Sequence, residues 1–262
     1  MKRQLLLILV MTACTLMAIL YLGRLVFASA SHYDRALLIA GGWIKLLALV
    51  VAAVFAIRST VLLGGGNPAR VPWGMLAGGL GALALGQATL VYFQTFRHIS
   101  PFPSIADVWF VIAYPLLVAG VIAFIVASAR SGFPMRGTGV MFVLFGAAAI
   151  AGAWPILRPI VTSSDALLPK TLNVLYPALD LVLLVPVIFL LVITSRFRGG
   201  TVWRVWCAML AGFVFTAVGD ILFAYFSTLG LSSLDPAVHA MYLVAYGGLA
   251  VGAMEQRRLL AA

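Results

Sequence analysis

Apolar residues run along this chain in stretches of about 20, the length a helix needs to cross the hydrocarbon of a bilayer. Eight such segments fit, at 5–28, 36–57, 73–95, 104–127, 138–157, 171–195, 203–227 and 236–256. The connections are short, and none holds a folded soluble domain. The pattern predicts an all-α, polytopic membrane protein of eight transmembrane helices, forming one domain over 1–262. The opening "MKRQLLLILVMTAC" has the basic start of a lipoprotein signal, but its apolar run continues past Cys14 to Phe27. That length suits a retained first span better than a cleaved signal.

Composition agrees: 64% of the residues are hydrophobic and 9% charged, and the mean hydropathy is +1.13. No soluble domain needs so much apolar surface. Cys14 and Cys207 both fall inside apolar runs, which gives neither a disulfide framework nor a metal site. The net charge is +10, and its basic residues punctuate the ends of apolar segments. They report topology and anionic headgroups, not nucleic acid.

With the N-terminus inside, the inner side receives Lys2, Arg3, Arg58, Arg70, Arg130, Arg136, Arg196, Arg198, Arg204, Arg257 and Arg258. The outer side receives Arg24, Arg35, Arg97, Arg158 and Lys170. Both termini are therefore expected in the cytoplasm. Trp73, Trp203 and Trp206 are expected as belt residues at the inner interface, and Trp154 at the outer.

The chain also repeats itself. "GQATLVYFQT" from Gly86 matches "GDILFAYFST" from Gly219, about 133 positions later. Each leads through a short loop into a span with "VIAY" (Val111 to Tyr114) or "LVAY" (Leu243 to Tyr246). Each is preceded by a similar entry, "MLAGGLGALAL" from Met75 and "MLAGFVFTAV" from Met209. This predicts a parallel 4+4 repeat over 1–130 and 131–262, related by a pseudo-twofold axis along the membrane normal. "Tyr-Pro" recurs too, as Tyr114-Pro115 and Tyr176-Pro177, and a proline inside a span frees a carbonyl and opens space for a pocket.

A charge at the bilayer centre costs about 2.5–3.5 kcal/mol on insertion scales, so each buried polar residue needs a reason. Lys45, Gln87, Asp107, Asp180, Asp220 and His239 all fall in the outer half of their spans, and the inner half is expected to lack buried charge. A polar cavity opening outward is expected, with Lys45 paired to Asp180 or Asp220. The candidate ligand-binding set is Lys45, Gln87, Asp107, Tyr114, Tyr176, Asp180, Asp220, His239 and Tyr246. Structural readings compete with the charged and amide residues of this set. Asp107 stands three residues after Ser104, in capping-box spacing. Asp235-Pro236 reads as N-cap and first-turn proline. His239 reads as interfacial and Gln87 as interhelical glue. Lys45, Asp180 and Asp220 also fit an ion-pair network between the halves.

Other patterns fail. "GLGALA" from Gly79 lies inside a span with no strand before it, so close helix packing explains it better than a dinucleotide site. "GGGNPAR" from Gly64 lacks the Lys-Ser/Thr of a phosphate loop. No His/Cys/carboxylate cluster has metal spacing, no cofactor is implied, and no lysine in the last span offers a retinal Schiff base.

"SPFPSIADVWFVIAYPLLVAG" from Ser100, "LYPALDLVLL" from Leu175 and "GDILFAYF" from Gly219 resemble the multi-span N-terminal membrane region of bacterial diguanylate cyclases and phosphodiesterases. The resemblance covers roughly 36–256. It implies a sensor-like module in the bacterial cytoplasmic (inner) membrane. No cyclase, phosphodiesterase or kinase domain follows Arg258, so output is expected to pass through a membrane-protein partner or a second copy. A fainter likeness is to lysoplasmalogenase-like eight-span membrane hydrolases, which implies Asp220 and Asp180 as a catalytic acid pair. Gln87 breaks that family's pattern of an aspartate in each half. The expected function is a non-enzymatic sensor-like or accessory/scaffold module in the lipid bilayer, with a lipid-acting hydrolase and a small-solute transporter as alternatives.

Overall fold

The computed structural model describes residues 2–27, 33–130, 138–195 and 198–260. Arg136 and Arg196 of the charge-asymmetry count lie outside the described residues. Among those described, the chain forms α-helices and no strand. In order these are α1 Lys2–Val26, α2 Tyr33–Leu62, α3 Arg70–Tyr92, α4 Ile105–Arg130, α5 Thr138–Thr162, α6 Leu167–Thr194, α7 Thr201–Leu229 and α8 Asp235–Leu259. A π-helical turn, Phe93–Arg97, extends α3, and a 3-10 turn, Ser232–Leu234, precedes α8. Seven stretches are long and apolar enough to cross a membrane: Gln4–Val26, Arg35–Leu62, Arg70–Arg97, Ile105–Arg130, Leu167–Thr194, Thr201–Leu229 and Ser232–Leu259. Over the fifth expected segment, α5 is a helix of 25 residues with Pro155 and Pro159 inside it.

Helices α2, α3, α4, α6, α7 and α8 close into a ring, each touching the next and α8 returning to α2. Outside the ring, α1 packs on α8 and α2, while α5 packs on α6 and α7. Outward positions stay apolar. Leu5, Ile8, Leu16 and Ile19 of α1 and Val108, Ile112, Ile122 and Val126 of α4 are all exposed. That surface suits lipid, where helices associate through packing and not through exclusion of water.

Two tight helix pairs hold the ring, and small residues set their spacing. A Cβ added to Gly79 of α3 would lie 2.6 Å from Leu117 Cγ and 3.1 Å from the Ala113 carbonyl of α4. On Gly212 of α7 it would lie 2.8 Å from Leu249 Cγ and 3.0 Å from the Ala245 carbonyl of α8. One helical stretch further on, Gly86 faces the Phe110 ring and Gly219 the Tyr242 ring. Backbones that approach this closely leave room for glycine alone.

The two ends of the ring differ. At the end near the start of α3 and α7, Trp73 and Trp206 are 1% and 4% exposed, with ring centroids 6.4 Å apart. Phe124 packs edge-on to both, at 5.8 and 5.0 Å. These two tryptophans are therefore not interfacial belt residues. The helix pairs bring them inward, and they plug the bundle. Trp154 is exposed, and Trp203 lies under the Arg198 guanidinium at 5.7 Å. This end also contains a buried charge, contrary to expectation. Glu255 is 6% exposed, 2.6 Å from Arg258 Nη1 and 3.5 Å from Arg204 Nη2. Its position one turn from the α8 terminus lets arginines from α7 and α8 close over it.

Candidate ligand cavity

Toward the other end the ring is hollow. A cavity of about 320 Å³ opens there, within the range of small-molecule sites. Every candidate residue named from the sequence lines it except Asp180, which stands directly behind Tyr114. Lys45 reaches it from α2, Gln87 from α3, Asp107 and Tyr114 from α4, Tyr176 from α6, Asp220 from α7, and His239 and Tyr246 from α8.

Asp107 does two jobs. Its Oδ2 accepts the Ser104 backbone N–H at 2.6 Å, while Ser104 Oγ accepts the Ala106 N–H at 3.2 Å. This is the capping arrangement expected from the spacing. Its Oδ1 accepts the Tyr176 hydroxyl at 2.6 Å, which ties the start of α4 to α6 across the cavity wall.

Asp180 and Asp220 meet through Tyr114. The Tyr114 hydroxyl lies 2.7 Å from Asp180 Oδ1 and 3.0 Å from Asp220 Oδ2. One phenol has one proton to give, so the second contact is complete only when one of the carboxyls carries a proton and donates it back to the phenol oxygen. Tyr242 donates to Asp220 Oδ1 at 2.5 Å, and its ring stacks on Tyr246 with centroids 5.9 Å apart. Asp180 is 2% exposed, and its Oδ2 has no hydrogen-bond partner among the described residues.

The expected pairing of Lys45 with Asp180 or Asp220 is not what the structure contains. Lys45 Nζ lies 3.2 Å from His239 Nδ1 and 5.8 Å above the Tyr242 ring. Helix packing is the cause: α2 borders α3 and α8, so its lysine reaches α8 and not α6. An ammonium has only protons to offer, so Nδ1 accepts and the imidazole proton is assigned to Nε2. His239 is thus a wall residue and not an interfacial one, with Tyr21 against its ring at 5.2 Å. Gln87 Nε2 donates to the Gly42 carbonyl at 3.2 Å, joining α3 to α2 as expected of interhelical glue.

Sequence reasoning passed over Gln94, Phe110, Thr216 and Tyr242, all of which line the cavity. Phe110 and Tyr242 stand four residues before Tyr114 and Tyr246, so the repeat itself carried their signal. Gln94 stands seven residues after Gln87, two turns along the same face, and the π-helical turn at Phe93–Arg97 carries it.

Seven helices long and apolar enough to span a membrane, six of them ringed around a cavity with polar groups in its wall, make this an α-helical membrane protein. Compared with protein-family models, curated proteins and solved structures, the chain matches none.

Proposed function

We propose that this protein is a ligand-binding, sensor-like module of the bacterial cytoplasmic membrane that acts through a second membrane protein or a second copy of itself. In this reading α5 is the eighth span, both termini are cytoplasmic, and the cavity opens outward. One observation carries the proposal: the costly polar residues of six helices converge on one cavity instead of being scattered as separate glue contacts. Intramembrane ionisable groups facing a common cavity are the usual mark of a functional site. The equivalent contacts of Gly79 and Gly212, and of Gly86 and Gly219, support two related halves.

Thermal unfolding in mild detergent, scanned across water-soluble cations, anions and neutral molecules, tests the reading. A ligand at a hundred times its Kd adds about 2.7 kcal/mol to stability. At least one molecule should raise the midpoint, and Asp220→Asn should remove most of the rise. A wild-type protein that no charge class stabilises, and that runs as a solitary 27.9 kDa chain with no partner, would contradict it.

A second reading, a lipid-acting hydrolase, draws on the Asp180–Tyr114–Asp220 contact, because two carboxyls sharing a proton can divide acid and base roles. Unchanged lipid turnover in Asp220→Asn membranes ends that reading.

A further inference from the structure

We propose that the ligand of this cavity is an organic cation: an ammonium head on a small apolar or aromatic body. The inference rests on the ligand-cavity reading above and adds the charge and chemical class of what binds.

Charge balance comes first. Asp107, Asp180, Asp220 and Asp235 are gathered at the cavity, and Lys45 is the only lysine or arginine among the described residues lining it. His239 accepts from Lys45 at Nδ1 and adds no charge. The tyrosine hydroxyls satisfy hydrogen bonds without supplying charge either. With one proton held in the Asp180–Tyr114–Asp220 group, the wall keeps three negative charges against one positive. A net charge left uncompensated among helices is expensive, and a cationic ligand offsets it. An anionic ligand would find Lys45 alone and would add to the excess.

The lining explains why that cation should be organic. Tyr246, Tyr114 and Phe110 bring aromatic rings to the cavity beside Tyr242, over whose ring Lys45 already sits. Ring faces attract alkylated or primary ammonium groups, whereas a small hydrated metal ion would have to shed water for them. Leu38, Leu90, Phe102 and Phe223 supply an apolar wall for the rest of the molecule.

An independent observation comes from Gln94. It lines the cavity, is 7% exposed, and its Oε1 has no hydrogen-bond partner among the described residues. A buried carbonyl oxygen is rarely left without a donor, so each exception calls for an explanation. The π-helical turn at Phe93–Arg97 carries this side chain, and such turns are frequent at functional sites. This oxygen packs against Gly42 of α2, and a turn of the amide toward the cavity would give it the donor it lacks, an ammonium N–H.

Isothermal titration of the full chain in mild detergent tests the inference with four probes: 2-phenylethylammonium, 3-phenylpropanoate, 2-phenylethanol and sodium ion alone. The ammonium should bind at least about tenfold more tightly than the alcohol, as a charge-assisted hydrogen bond warrants, and the propanoate should not bind. Gln94→Met should weaken the ammonium by about tenfold and leave the alcohol unchanged. It should unfold no earlier than wild type, because Oε1 has no protein partner to lose. Tighter binding of the alcohol or propanoate overturns the cation while leaving the ligand cavity standing. Sodium binding in preference to the ammonium overturns the organic assignment. Failure of all four probes overturns the inference, and the broader thermal scan then decides separately whether the cavity binds anything. Undiminished ammonium affinity in Gln94→Met also counts against it.

Discussion

Replacing Tyr114 by phenylalanine is expected to destabilise the protein by about 1–3 kcal/mol, the cost of stranding a buried polar group. Its hydroxyl is the hydrogen-bond donor at Asp180 Oδ1, and Oδ2 of that carboxyl has no partner among the described residues. Without it Asp180 remains 2% exposed and unsatisfied on both oxygens. Asp220 loses less, because Tyr242 still donates to it. The Tyr114→Phe/Asp180→Leu double variant should recover most of the loss, since removing both polar partners is far cheaper than removing one. Reversible unfolding of the four proteins of that cycle in detergent measures it. A double variant as unstable as the sum of the singles would mean that the two groups do not interact.

Gly212→Ala is expected to cost about 1–3 kcal/mol through overpacking. The new Cβ would sit 2.7 Å from Leu249 Cδ2 and 3.0 Å from the Ala245 carbonyl, and a backbone atom yields little. Leu249 is 0% exposed, so its side chain has no empty space to turn into. Gly79→Ala should lose a similar amount, because Leu117 and the Ala113 carbonyl stand in the same relation to it. Gly81 is the control. Nothing lies within 4 Å of its added Cβ, so Gly81→Ala should be neutral or gain up to about 1 kcal/mol of helix propensity. Unfolding midpoints that rank Gly81→Ala below Gly212→Ala would contradict the packing described for α7 and α8.

Much of this architecture was legible because a bilayer makes rare residues informative. A polar group in an apolar run has to be satisfied inside the protein, so Gln87, Asp107, Asp220 and His239 could be named from sequence, and all four line the cavity. Capping chemistry was legible for a local reason: Ser104 and Asp107 bond across three residues of one helix start. Pairing between helices was not. Lys45 was expected on an aspartate and rests on His239, because that choice depends on which helices become neighbours in the ring. Trp73 and Trp206 were read as belt residues because a tryptophan at a span's end has the same sequence signature whether it faces lipid or a partner helix. Glu255 escaped notice because it stands near a terminus, where a charge is cheap. Only the fold closes Arg204 and Arg258 over it.

The central claim is that the ring is hollow and acidic at one end and solid at the other. Thr216 and Met209 test it together, because they lie seven residues apart on one face of α7, roughly 10 Å along its axis. Thr216 lines the cavity, while Met209 is 1% exposed beside Gly252. Thr216→Cys and Met209→Cys, each in a Cys14→Ala/Cys207→Ala background, are exposed in intact cells to two membrane-impermeant methanethiosulfonates, one carrying a trimethylammonium group and one a sulfonate. The account predicts modification at position 216, faster by the cationic reagent, and none at position 209. Equal inertness at both positions, or faster reaction at 216 with the sulfonate, would contradict it.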